Sequence, residues 1–252
     1  MKTITNINEW LAIKKTFTNQ TVGFVPTMGN LHAGHLALCE RSVLENDITV
    51  VSIFVNPTQF NQASDFDLYP RTLEQDQVLL REKKVDYLLL PTANDLYPDN
   101  YAVQVSENEL ASELEGEYRP GHFTGMLTVV LKLLNLASAT AAYFGEKDYQ
   151  QMLLVKKMVH ALFVPTTIIA CETLRAEDGL ALSSRNGRLT ADQRQLALHF
   201  PRLLKSLALT DEQVATALSE LGFKVDYIKQ KWGRRLGAVW LGQVRLIDNI
   251  PL

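Results

Sequence analysis

Short runs of β-branched and other apolar residues punctuate the first two-thirds of the chain. They predict strands at residues 22–25, 48–55, 87–90, 142–144 and 166–171. The runs are nearly continuous rather than alternating, as in parallel strands covered on both faces. Stretches with helical spacing of apolar positions separate them, at residues 36–45, 73–83, 106–114, 124–137 and 150–162. Thr72-Leu73-Glu74-Gln75 and Ser106-Glu107-Asn108-Glu109 fit the capping-box pattern that starts a helix. Strand–helix alternation of this kind predicts a doubly wound α/β domain with its ligand site at the carboxyl ends of the strands.

The pattern changes after residue 174. A polar loop, RAEDGLALSSRNGR, is followed by two more T-x-x-Q helix starts, at Thr190 and Thr210, and then by a tail that reads as short strands. The expected organisation is a parallel-sheet domain over residues 1–174 and a smaller α+β domain over residues 175–252.

Composition adds little to this picture and excludes several classes. Hydrophobic residues make up 46% and charged residues 21%, with a formal net charge of -3. That balance is ordinary for a globular protein and gives no reason to expect binding to nucleic acid or to an anionic membrane. The opening residues, MKTITNINEWLAIKK, lack the apolar core of a signal peptide, and no run is long enough to span a bilayer. A cytoplasmic protein is expected. Cys39 and Cys171 form neither a CxxC pair nor a zinc spacing, and read as small buried hydrophobes.

The chemistry gathers in three groups of turns. The first, PTMGNLHAGHLAL, joins the strand at 22–25 to a helix. Helix starts offer unpaired N–H groups and partial positive charge, which suits an anion. Gly29 and Gly34 allow close approach, and His32 and His35 can add donors on one side of the turn. A phosphate there would favour charged imidazoles. In the plainer alternative, His32 ends a loop and His35 caps the helix. Neither GxGxxG nor GxxxxGK[ST] is present, so this is not an ordinary dinucleotide or P-loop turn.

The second group comprises FVNPTQF and FGEKDYQQ, each at a strand end. Gln59 offers an amide that both donates and accepts, as a hydroxy acid requires. Lys147 is a mobile point charge suited to phosphate, Asp148 can accept from a ribose or cap a helix, and Gln151 follows on the first turn. The third group, LALSSRN, places Ser183, Ser184 and Arg185 in a loop able to wrap phosphate oxygens, near a boundary where a closing segment would hinge. Asp76 is a possible metal contact, though a solvated helix carboxylate is the preferred reading. In RPGHFTGM, His122 precedes a helix and reads as ordering that turn, while Arg119 is left between a site role and a dimer-interface role.

Together these pieces resemble the pantothenate synthetase (pantoate–β-alanine ligase) family, of the HxGH nucleotidyltransferase-like superfamily. The resemblance is carried by PTMGNLHAGH, FVNPTQF, YPRT, RPGHFTGM, FGEKDYQQ, DGLALSSRN and RLIDN, in that order over most of the chain. It implies a Rossmann-like domain with a smaller C-terminal lid domain, here shortened. It implies a cytoplasmic homodimer that uses ATP and Mg²⁺ to join pantoate to β-alanine through a pantoyl adenylate, releasing AMP and pyrophosphate.

Matched residue by residue, the ATP site takes Met28, Gly29, Asn30, Leu31, His32, Ala33, Gly34 and His35. It also takes Gly145, Glu146, Lys147, Asp148, Leu174, Leu182, Ser183, Ser184 and Arg185. Gln59 and Gln151 match pantoate-binding positions, with Gln59 also bordering β-alanine. His35, His32 and Lys147 are the expected catalytic residues, and no protein metal ligand is assigned. Two rivals remain at this stage. One is a nucleotidyltransferase of the same superfamily. The other is an RNA-binding module using Lys229, Lys231, Trp232, Arg234 and Arg235.

Overall fold

A computed structural model describes residues 1–61 and 63–252. The chain divides into two compact units. The first holds residues 1–145 and 150–171, and the second holds residues 146–149 and 172–252.

The first unit is built on six parallel strands. They are β1 (Lys2–Ile4), β2 (Val22–Thr27), β3 (Ile48–Ile53), β4 (Tyr87–Leu89), β5 (Ala141–Gly145) and β6 (Thr167–Cys171). Their order across the sheet is β1-β4-β3-β2-β5-β6. From β2 the chain steps to β3 on one side, then returns to place β5 on the other. The carboxyl ends of β2 and β5 therefore flank a topological switch point, where open α/β sheets bind ligands.

The apolar runs that predicted these strands are buried because helices cover both faces. Helix Ala33–Glu45 lies close against β2. A Cβ on Gly23 would sit 2.2 Å from Ser42 Oγ, so only glycine permits this approach. Ser42 pairs in turn with Thr49 Oγ1 at 2.9 Å. Val25, Leu38, Cys39, Val51, Leu80, Leu88 and Tyr143 form one core cluster. Each fully buried Leu or Val there contributes about 1.5–3 kcal/mol. Helix His122–Ala137 is apolar on most sides, and most of its residues are buried.

Two expectations change here. Residues 106–114 do not form a helix; only a 3-10 turn, Leu110–Ser112, appears. The Glu107 carboxylate accepts the N–H groups of Glu109 and Ala111 at 3.0 and 2.8 Å, and the Lys157 amine bridges Glu107 and Glu109. These local bonds replace the helical ladder. At Thr72 the capping box is not made. Thr72 Oγ1 donates instead to Asp76 Oδ2 at 3.2 Å. β1 and helix Ile7–Lys14 were not expected. They are held by Trp10, which is 1% exposed and donates Nε1–H to Leu136 O at 2.8 Å.

The second unit packs helices Ala191–Ala197, His199–Leu204 and Asp211–Glu220 with the antiparallel strands β7 (Lys224–Lys231), β8 (Arg234–Leu241) and β9 (Val244–Pro251). Both expected capping boxes, Thr190 with Gln193 and Thr210 with Gln213, are formed. The core is Phe200, Leu204, Val214, Leu218, Val239 and Leu241 among others. KQKWGRRLGAVW is a hairpin turned on Trp232 and Gly233, both at positive φ, as a type I′ turn requires. The basic run considered for RNA is partly committed inside this unit. Arg235, 1% exposed, donates to Asp211 and to the carbonyls of Leu204, Ser206 and Leu209. Arg234 pairs with Glu146. Among the described residues, no helix is long and apolar enough to cross a membrane.

Candidate active site

In the first unit, β2 ends at Thr27, whose hydroxyl donates to Ser52 O at 2.8 Å and accepts Gly29 N–H at 3.2 Å. Gly29 and Asn30 are successive positive-φ residues, at 81° and 50°, and they reverse the chain. Their geometry is fixed by Asp76. Its carboxylate accepts Asn30 N–H at 2.9 Å and Leu31 N–H at 2.8 Å, besides the Thr72 hydroxyl. Asp76 is 1% exposed. It is therefore not the solvated carboxylate expected from its helical position. It is the post on which the H-x-G-H turn is hung.

His32 caps helix Ala33–Glu45. Its Nδ1 accepts Gly34 N–H at 3.1 Å, and His35 Nδ1 accepts His32 N–H at 3.4 Å. Two imidazoles thus make a reciprocal capping box, a job usually done by a hydroxyl and a carboxylate. The rings lie nearly stacked, with centroids 4.1 Å apart and planes 33° from parallel. With both Nδ1 atoms accepting, each neutral ring carries its proton on Nε2. The capping reading of these residues is therefore realised: one nitrogen of each ring holds the helix start.

The second strand end joins this turn. Gln59 closes a 3-10 turn, Pro57–Gln59, after β3, and its Nε2 donates to Met28 Sδ at 3.0 Å. Asn56, passed over in the sequence, is the hub. It is 1% exposed, donates to Gln59 Oε1 at 3.2 Å and Gly125 O at 3.1 Å, and accepts from Tyr97 and Thr58. Burial pushes the Tyr97 phenol above its ordinary value, which keeps it a donor. Arg119 and His122 act on the same turn. His122 Nδ1–H donates to Gln59 O at 2.7 Å, Arg119 donates to that oxygen at 3.4 Å, and Arg119 also donates to His122 Nε2 at 3.0 Å. Of the two adjacent glutamines, Gln150 is structural. It is buried and bonds Glu115 N–H and the carbonyls of Leu110 and Glu113. Gln151 is half-buried on the next position of helix Tyr149–Ala161.

In the second unit, Glu146–Asp148 form a 3-10 turn. The Lys147 amine lies 3.9 Å from the Asp148 carboxylate. The Glu146 side chain is bound to Arg234. Leu174 and Leu182 are brought side by side, because Leu182 N–H donates to Leu174 O at 3.0 Å and Arg175 pairs with Ala181. Ser183 Oγ accepts Arg185 N–H at 3.2 Å, which shapes the segment carrying Ser184 and Arg185. Among the described residues, no cluster of three or more His, Cys, Asp or Glu side chains could hold a metal ion.

A parallel sheet with an H-x-G-H helix start at its switch point defines a nucleotide-binding α/β protein. A family model described as pantoate-beta-alanine ligase matches residues 1–251. Pantothenate synthetase of Coxiella burnetii (strain Dugway 5J108-111) is 53% identical over 250 residues, 99% of this chain and 96% of that one. The Legionella pneumophila (strain Corby) pantothenate synthetase is 49% identical over 256 residues, covering all of both chains. Among solved structures, pantoate-beta-alanine ligase from Francisella tularensis, complexed with beta-gamma ATP and β-alanine, superposes with a TM-score of 0.94. It is 43% identical and covers 100% of this chain and 97% of that one. Pantothenate synthetase from Thermus thermophilus gives 0.90 at 40% identity, covering 100% of this chain and 99% of that one. The chain belongs to the pantoate–β-alanine ligase family, and its activity is the ATP-dependent synthesis of pantothenate.

Proposed function

We propose that the ligation runs through a pantoyl adenylate and that the residues divide the work as follows. Gln59 and Gln151 bind the hydroxyls and carboxylate of (R)-pantoate. His32, His35 and the N–H groups of residues 28–35 receive the triphosphate. Gly145 to Asp148 serve the ribose and phosphates, with Lys147 on phosphate. Leu174 borders the adenine, and Leu182 to Arg185 bind phosphate oxygens.

The pantoate carboxylate attacks the α-phosphorus, forming a P–O bond while the bond to pyrophosphate breaks. The β-alanine amine then attacks the acyl carbon, AMP leaves with the oxygen, and the nitrogen loses a proton. No protein nucleophile is needed. Catalysis comes from holding the carboxylate in line and from donors aimed at the charge that builds on the departing pyrophosphate.

Mg²⁺ would supply charge neutralisation on ATP. The Asp76 carboxylate already accepts from Asn30, Leu31 and Thr72, and no protein ligand to the ion is assigned. The working form is a homodimer.

The observation that carries this reading is the paired capping of His32 and His35, which fixes both imidazoles at the helix start that follows β2. The test is ATP–pyrophosphate exchange with D-pantoate, with and without His35→Ala. Pantoate-dependent exchange that falls at least about 100-fold in the variant is expected, the size of an oriented transition-state donor. No exchange by folded wild-type protein with Mg²⁺ present would rule out the adenylate.

A further inference from the structure

The RLIDN motif, residues 245–249, has no part in the reading above, yet its last two residues are among the most committed in the second unit. Asp248 and Asn249 lie on β9, 3% and 2% exposed, paired with Gly237 and Leu236 of β8. The single Nδ2 of Asn249 donates to two consecutive carbonyls, Glu146 O at 2.8 Å and Lys147 O at 3.0 Å. Its Oδ1 accepts Arg234 Nη1–H at 2.7 Å. Arg234 also binds the Glu146 carboxylate and lies 4.4 Å from the centre of the Tyr149 ring. A three-residue 3-10 turn has little stability of its own. Here its main chain is clamped by a side chain about a hundred positions away in sequence.

One residue earlier, Asp248 takes the Arg175 guanidinium through both oxygens, at 2.7 and 2.8 Å. Arg175 also donates to Gly179 O at 3.2 Å and sits opposite Ala181. Asp248 therefore anchors the root of the segment that leads to Ser183, Ser184 and Arg185. Adjacent residues of one paired strand hold both of the second unit's nucleotide-binding segments.

We propose that Asp248 and Asn249 are a positioning pair, which fixes Lys147 and the Ser183–Arg185 segment relative to each other before ATP arrives. Neither residue touches the nucleotide. The gain is preorganisation: ordering the turn is not charged against ATP binding. The inference rests on the assignment of these two segments to ATP in the preceding subsection.

The full chain is compared with Asn249→Ala and with Val214→Ala, which opens a cavity in the core of the same unit at a residue belonging to neither segment. Three quantities are read: thermal stability, amide hydrogen exchange in peptides covering residues 146–149, and the Kd of ATP with Mg²⁺, without pantoate, by calorimetry. Asn249→Ala should speed exchange in the 146–149 peptides and weaken ATP about tenfold, the equivalent of one to two hydrogen bonds. Val214→Ala should lower stability and leave both other readouts within about twofold. Unchanged ATP affinity in Asn249→Ala would overturn the proposal, with or without faster exchange. Equal weakening by Val214→Ala would also overturn it, because the effect would then be general loosening. Wild-type protein that binds ATP yet shows no pantoate-dependent exchange would overturn the adenylate reading and leave the positioning pair standing. Wild-type protein that binds no ATP would overturn both.

Discussion

Asp76→Asn is the most direct test of what shapes the H-x-G-H turn. The change keeps the side chain's outline and removes its charge. In the native turn, one carboxylate oxygen meets Leu31 N–H and the other meets Asn30 N–H and the Thr72 hydroxyl. An asparagine has one acceptor oxygen, so one of the two backbone groups must face an N–H. Orphaning a buried donor costs about 1–3 kcal/mol, and losing charge assistance on the remaining bond adds about 1 kcal/mol. The total of about 2–4 kcal/mol corresponds to a Tm about 5–15 °C lower for a chain of this size. The turn should also relax from its two positive-φ residues, so ATP should bind at least about tenfold more weakly. Thermal unfolding and ATP calorimetry read the two effects. Glu74→Gln, exposed on the same helix, is the control and should stay within about 0.5 kcal/mol of wild type. An Asp76→Asn protein as stable as that control, with wild-type ATP affinity, would refute the claim that this carboxylate holds the turn.

Two further outcomes follow from close packing. A Cβ on Gly125 would lie 2.4 Å from Thr58 O and 2.6 Å from Thr58 C, both backbone atoms of the Gln59 turn. Gly125→Ala should therefore destabilise by about 1–3 kcal/mol. It should also raise the KM for pantoate well above that for ATP in steady-state kinetics; equal changes in both would count against a local displacement of Gln59. Burial pushes the Cys39 thiol up to about 12, so at pH 8 it is protonated and inert. Its modification by a disulfide reagent should track global unfolding in urea, and rapid labelling of the native chain would contradict the burial.

The strands of the first unit were legible because parallel strands buried on both faces leave unbroken apolar runs, and the helices because apolar residues repeat at their period. β1 was not, because a three-residue edge strand with one buried side chain, Ile4, makes no pattern. The 106–114 segment was misread for a different reason. The capping-box letters were present, but Glu107 bonds forward to Glu109 and Ala111, and Lys157 ties both acids from a distance in sequence. The tail KQKWGRRLGAVW gave no register because its turn uses Trp at a positive-φ position where Asn or Gly is the usual signal.

At the candidate site, sequence marked out side chains by type and place but did not record the bonds that hold them. His32, His35, Gln59, Lys147 and Arg185 sit at strand ends or in glycine-bounded loops, so type and place together suggest chemistry. Asp76, Asn56, Arg119, His122 and Asn249 act on backbone atoms of residues far away in sequence, and no local spacing records such a bond. Their demand is nonetheless strict. A loop with positive-φ residues and unpaired N–H groups would sample many shapes on its own, and a buried polar side chain is costly unless fully bonded. Each cost is offset by the other: Asp76 satisfies its oxygens on the turn's N–H groups, and Asn249 satisfies its amide on the carbonyls of Glu146 and Lys147. The same exchange explains the imidazoles. His32 and His35 each spend one ring nitrogen on capping a helix, so the imidazoles that stand out in the sequence are themselves part of the support. Replacing either histidine therefore removes a helix cap along with the imidazole.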